Sequence, residues 1–380
     1  MNFSSKFGSK EATSRYRVLH VIGGLIGGGA ETQLKLLLGG TNKSQFTVGV
    51  AYFNDDQDYL DREGISFYPI TRNSKLDFIS VIKSLSHAMD EIRPDIVQLW
   101  YPEVLTIPAA LMARYRGINV ISTQRHRLGG CVSFSNKVRD LFGAVAHYLA
   151  HQVITNYDTD CEPEWFKKCY KARRGQIIRN AIVPCSGVRR QPFSGSLKSL
   201  RILFVGRFVV QKRLNRLLEA VAIARNLGCT ISADVYGKGN AHTENQMKEL
   251  CVSLGIEDVV KFRGYSKYWQ LDCSKFDVLV LPSVTEGMPN VVVEAMSLGI
   301  PVVASDIPEL TCFLRKNVDA CLVPPDDPEL LALALIQLQQ SDDELDKYQK
   351  AGYLVSSKFT LERMVDSYQD IYRYYGAISK

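Results

Sequence analysis

Two carboxylates, Glu286 and Glu294, are separated by seven residues in EGMPNVVVEAM (residues 286–296). Carboxylates accept hydrogen bonds from paired hydroxyls such as those of sugars. The preceding run FDVLVLPS (276–283) reads as a buried strand, TEGMPN as a polar loop, and a helix begins near Pro289. Glu286 therefore belongs to the loop and Glu294 lies about one turn into the helix. The first amides of a helix have no partner within it, and its dipole favours negative charge. The amides after Glu286 are thus free to meet a phosphate. The same dipole accounts for an acid near a helix start with no ligand at all, so both readings stand locally.

A second cluster is cationic. In VGRFVVQKR (205–213), Arg207 and Lys212 follow Gly206 at the end of a strand-like run. Arginine offers a planar fork to phosphate oxygens and lysine a mobile point charge, a combination that neutralises a diphosphate without a metal. Two solvated bases at a helix start are the alternative. A third feature, GGLIGGGAE (23–31), lies where a strand feeds a helix, and its glycines either let the backbone approach a ligand or serve the geometry of a tight turn. It does not fit G-x-G-x-x-G, because Gly23 and Gly24 are adjacent and Leu25-Ile26 precede Gly27.

The elements that position these residues repeat. RVLHVIG (17–23), FTVGVAYF (46–53), DIVQLW (95–100), INVISTQR (118–125), QVITNYD (152–158) and GQIIRNAIV (175–183) read as strands between helical stretches. A polar segment, RRQPFSGSLKSL (189–200), reads as a linker, after which the pattern restarts at RILFVGR (201–207) and runs to PVVASD (301–306). Two doubly wound α/β domains are expected, over 1–195 and 196–360. A last helix near 361–376 carries Tyr368, Tyr372 and Tyr375 as a docking stripe.

Composition narrows the function classes. Of 46 Lys and Arg and 40 Asp and Glu, residues 1–200 hold 26 and 17, a balance of +9, and residues 201–380 hold 20 and 23, a balance of −3. A basic first half suits an anionic membrane surface or a phosphate-bearing acceptor, while the interleaved aromatic and arginine patterns of nucleic-acid modules are missing. No apolar run approaches bilayer length, and the N-terminus has no signal-peptide core, so a cytoplasmic protein is expected. Nine scattered cysteines with no C-x-x-C read as reduced thiols, with no zinc site. Asp158-Thr159-Asp160 has an Asp-x-Asp form seen in metal sites, but a helix-start or turn role is expected.

The stretch EGMPNVVVEAMSLGIPVVASDIPEL (286–310) resembles the signature of glycosyltransferase family 4, with GGGAE, VGR and its following lysine, VYGKG (235–239), FRGY (262–265) and the final helix extending the likeness over nearly the whole chain. The resemblance implies the GT-B fold, two Rossmann-like domains facing a central cleft, and a retaining, metal-independent transferase with no cofactor. It implies that Arg207 and Lys212 hold the donor diphosphate, Glu294 the ribose, and Glu286 the transferred sugar. Residues 287 to 291 would meet sugar and phosphates, Gly28 and Gly29 would approach the diphosphate from the first domain, and Gly237 and Arg263 to Tyr265 would border the base. The last helix, 361–378, would return to the first, acceptor-side domain. Where many relatives place a histidine after the strand INVISTQR, this chain reads Gln124-Arg125-His126-Arg127, and either Arg125 or His126 fills the place.

The expected reaction moves a sugar from a nucleoside diphosphate, UDP in the first instance, to a hydroxyl of a glycan or lipid-linked acceptor in cell-surface polysaccharide or glycolipid synthesis, at the cytoplasmic face of the membrane. ARYRG, RHR, KVRD and KARR are candidate acceptor contacts. A sugar-nucleotide epimerase of the same architecture and a catalytically idle GT-B binding subunit are the alternatives.

Overall fold

Runs such as IVQL (96–99) and VLVL (278–281) bury every side chain, as strands covered by helices on both faces must. A computed structural model of the chain describes residues 15–25, 28–53, 64–72, 74, 77–100, 106–128, 134–160, 162–183, 199–266 and 268–378, with backbone alone for 134–140. In the first half, β1 (Tyr16–Ile22), α1 (Gly29–Gly40), β2 (Phe46–Tyr52), β3 (Ser66–Pro69), α2 (Phe78–Ile92), β4 (Ile96–Leu99), α3 (Ile107–Tyr115), β5 (Asn119–Gln124), α4 (Phe134–Leu149), β6 (Gln152–Thr155), α5 (Glu164–Ala172) and β7 (Gln176–Ile177) follow one another. Their strands form one parallel sheet of order β3-β2-β1-β4-β5-β6-β7.

The second half repeats the plan with β8 (Leu200–Val205), α6 (Leu214–Asn226), β9 (Ile231–Tyr236), α7 (Ala241–Ser253), β10 (Val260–Gly264), β11 (Val278–Leu281), α8 (Asn290–Ser297), β12 (Val302–Ser305), α9 (Pro308–Thr311) and β13 (Cys321–Val323). Its parallel order is β10-β9-β8-β11-β12-β13. In both sheets the order reverses beside the first strand, which opens a crevice at the carboxyl ends of the strands. Helices α10 (Pro328–Gln339) and α11 (Asp342–Ser356) complete the second domain. Side chains of Asp77, Asn240, Asp327 and Ser341 cap α2, α7, α10 and α11.

The last helix, α12 (Leu361–Ile378), belongs to the first domain. Tyr368, Tyr372 and Tyr375 are buried with Trp100, Phe46 and Leu34 in that domain's core. The chain thus crosses between domains twice. At the crossing, the Ile182 amide donates to the Phe359 carbonyl at 3.0 Å. The strand expected over 175–183 is confined to Gln176–Ile177. Beyond it the backbone bonds elsewhere, with the Ala181 amide donating to Gln33 Oε1 and Gln33 Nε2 donating to the Ala181 carbonyl, both at 2.8 Å. Helix α3 begins at Ile107, and residues 101–105 lie outside the described ones. So does the linker expected over 189–200, up to residue 198, and so do Cys131, Cys161 and Cys185; the six described cysteines are free.

Candidate functional site

Glu286 lies in the loop between β11 and α8, as its sequence context requires, and Glu294 on the first turns of α8. A 3₁₀ turn over Val210–Lys212 brings the lysine to the same sheet edge, where Lys212 Nζ meets Glu286 Oε1 at 2.5 Å. Both side chains are largely buried, so each charge depends on the other. The loop is anchored further by the Val284 amide, which donates to the Gln211 carbonyl, and by Thr285 Oγ1, which donates to Glu309 Oε1 at 2.9 Å.

Glu294 lines a cavity of about 180 Å³ between the domains, with Thr32 and Gln33 of α1, Ala181 to Val183 of the crossing, Gln270, Ser297 and Leu298. Burial pushes its carboxyl up to about 7, partly offset by the hydrogen bond from Gln270 Nε2. An acid in this state is short of hydrogen-bond donors, and two adjacent hydroxyls would supply them.

Arg207, beyond β8, is exposed, and with Arg125 it draws down the carboxyl of Glu31, which burial raises. Glu31 was not singled out in the sequence; its carboxylate lies over Gly28, where an added Cβ would meet Oε2 at 2.4 Å. Gly29 faces Asn290 across the cleft, with an added Cβ 3.7 Å from the Asn290 side chain. Gly206 and Gly237 serve each other: at Gly237, with φ of 142°, a Cβ would come 1.9 Å from the Gly206 carbonyl oxygen. Arg263 is held by Asp234 in a fork at 2.9 and 3.3 Å, while Tyr265 is exposed, with Lys238 Nζ 5.6 Å from its ring centre.

The facing wall comes from the end of β5. Arg125 is buried, its guanidinium 4.9 Å from the Trp100 ring centre and donating to Asn180 Oδ1. Burial lowers its affinity for the proton, and Tyr368 and, more weakly, Glu31 counter this. His126 is half-buried at the same edge, and its carbonyl accepts from Gln124 Nε2 and Tyr157 Oη. The walls touch at Gly287, where an added Cβ would come 2.1 Å from the Arg125 carbonyl oxygen. Met288 and Asn290 are contacted by Asn180, while Pro289 precedes α8 and Val291 packs on the second core.

Two expected acceptor contacts are not brought to this edge. ARYRG ends α3 and KARR ends α5, and each precedes a strand, so both lie at the amino-terminal edge of the sheet, opposite the cleft. Arg116 is engaged there by Asp90 at 2.7 Å and Arg114 by His151. RHR does lie at the cleft, where Arg127 approaches Glu309 at 3.8 Å, and the side chains of KVRD lie outside the described residues. Asp158 pairs with Arg179 at 2.9 Å, and the Glu162 amide closes a turn on Thr159. Among the described residues, no group of three His, Cys, Asp or Glu could hold a metal ion.

Residues 199–341, which carry Arg207, Lys212, Glu286 and Glu294, match the family model of glycosyl transferases group 1. The second domain thus resembles that of the group 1 glycosyltransferases. Along its length this chain is 25% identical over 304 residues to the lipopolysaccharide core biosynthesis glycosyltransferase LpsE of Rhizobium meliloti, covering 78% of this chain and 81% of LpsE. It is 31% identical over 175 residues to the amylovoran biosynthesis glycosyltransferase AmsK of Erwinia amylovora, 42% of each chain, so the match spans under half of that relative. Its fold is that of the Anabaena protein Alr3699/HepE, solved with UDP and glucose, at a TM-score of 0.78 and 16% identity over 94% of this chain and 99% of that one. The two-domain GT-B architecture expected from the sequence is thereby established.

Proposed function

We propose that this protein transfers a sugar from a nucleoside-diphosphate sugar, UDP-linked, to a hydroxyl of a glycan or lipid-linked acceptor in the synthesis of a cell-surface polysaccharide or glycolipid, with retention at the anomeric carbon. The observation that carries the reading is the convergence of Lys212, Glu286 and Glu294 on one sheet edge that faces a second domain across a cleft. Glu294, short of donors, receives the ribose hydroxyls. Glu286, fixed by Lys212, receives hydroxyls of the transferred sugar, while Lys212 and exposed Arg207 take up the charge of the departing diphosphate. In this reading that diphosphate accepts the acceptor hydroxyl's proton, and neither a metal nor a cofactor is required. Arg125 and His126 supply the opposite wall.

The names of LpsE and AmsK support an envelope or exopolysaccharide setting, and the UDP bound in HepE supports the choice of nucleotide. The reading places the enzyme in the cytoplasm, its basic first domain turned to an anionic membrane face where lipid-linked acceptors reside. Among the described residues no helix is long and apolar enough to cross a membrane. The test is a thermal-shift panel of UDP, GDP and ADP sugars. A donor at 100 times its dissociation constant adds about 2.7 kcal/mol of stability. A panel in which no nucleotide sugar raises the melting temperature removes the reading.

A further inference from the structure

We propose that Asn180 is a positioning residue, a single amide that holds the guanidinium of Arg125 and the start of α8 in register across the cleft. The inference rests on the transferase reading for its effect on rate. Asn180 is buried in the segment that crosses between the domains. Its Oδ1 accepts from Arg125 Nη2 and from Asn156 Nδ2, the latter at 3.1 Å. Its Nδ2 donates to Asn290 Oδ1 at 2.6 Å, and its backbone amide donates to Met288 Sδ at 3.3 Å.

Chemistry fixes the orientation of this amide. Arginine has donors and no acceptor, so the oxygen of Asn180 must face the guanidinium and its NH₂ must face the other domain. Asn290 is the first residue of α8 and Met288 lies two residues after Glu286, so Asn180 holds the carboxyl-terminal end of the Glu286 loop, through its side-chain amide at Asn290 and its backbone amide at Met288. On the other side, Arg125 is pinned over Trp100 and has little freedom of its own. A rotation of one domain that moved α8 away would break the bond to Asn290 and leave a buried amide half satisfied. The amide thereby favours the arrangement in which Arg125 and the Glu286 loop stand opposite each other, a geometry that matters to a fraction of an ångström for transfer.

Asn180→Ala, Asn290→Ala and the double variant test the bridge. UDP-glucose hydrolysis with water as acceptor gives the turnover rate, and titration with UDP gives nucleotide affinity. Each single variant should lower kcat by about tenfold with UDP affinity within about twofold, and the double variant should be no slower than the slower single by more than about threefold. Multiplying effects, a matching loss of UDP affinity, or an undiminished rate in Asn180→Ala overturns the proposal. Hydrogen exchange reads the bridge without turnover: the Gly287 and Met288 amides should exchange faster in Asn180→Ala, and unchanged exchange also overturns it. If the unmodified enzyme neither binds UDP nor hydrolyses UDP-glucose, it is the transferase reading that fails, and exchange still decides the bridge. Asn290→Ala, at the half-exposed start of α8, serves if Asn180→Ala does not fold.

Discussion

The two walls of the cleft hold their cations in opposite ways. On the second domain Lys212 is met by a full negative charge 2.5 Å away. On the first, Arg125 is met by a neutral amide and the face of an indole, with Glu31 acting through space. The lysine's charge is cancelled locally, and in the proposed reaction it becomes available to an anion when Glu286 turns to sugar hydroxyls. The arginine's charge is never cancelled by contact, so the first wall presents a standing positive potential in a dry place. One wall exchanges partners, and the other is fixed.

That contrast predicts a ranked set of losses. Lys212→Met should cost most, lowering kcat by about 10²–10³. It should also cost about 3–5 kcal/mol in urea denaturation, because Glu286 is left buried and alone. The double variant Lys212→Met/Glu286→Gln should recover most of that stability and none of the activity; a recovery of activity breaks the assignment. Gly287→Ala comes next, since its Cβ collides with the Arg125 carbonyl and separates the walls. Its rate should fall by about 10²-fold with UDP affinity little changed, measured by single-turnover kinetics and calorimetry.

Arg125→Met should lower kcat by about tenfold but cost only about 1 kcal/mol, since its contact partners are neutral. A stability loss equal to that of Lys212→Met would erase the difference between the walls. A last effect, spread over a pH range rather than lost at once, concerns Glu294. Glu294 is raised to about 7 in the folded protein, so the native state binds the extra proton between its unfolded value of 4.5 and about 7. Stability present below that window is lost as pH rises through it, by about 1–3 kcal/mol, and Glu294→Gln should flatten the profile. Donor binding runs the other way. UDP-glucose, which needs the carboxylate, should bind more tightly as pH rises through 7 in the wild type, and the variant should show no such slope.

How much of this was legible in the sequence depended on how local the cause was. Glu286 and Glu294 were readable because strand, loop and helix start lie within two dozen residues and fix their places. Tyr368, Tyr372 and Tyr375 were readable as a docking stripe for the same reason. Asn180 was not, because RNAIV resembles a strand and its role depends on α8, more than a hundred residues later. Glu31 and Gln270 escaped notice because each acts on a group in another element. ARYRG and KARR drew attention by charge alone, although their place between a helix end and a strand start already put them at the far edge of the sheet. Whether Arg125 or His126 faces the donor sugar is not decided by burial alone: Arg125 is buried within the wall, and His126 is half-buried with both ring nitrogens covered.

The return of α12 also sets the order in which this protein can come into being. Its tyrosines fill the first domain's core beside Trp100 and Leu34. During synthesis the first sheet therefore waits, with an apolar face open, until residues 361–378 have left the ribosome. The second domain, encoded later, has its own core in hand sooner. The domain made first is finished last, and in that interval it is the natural client of a chaperone.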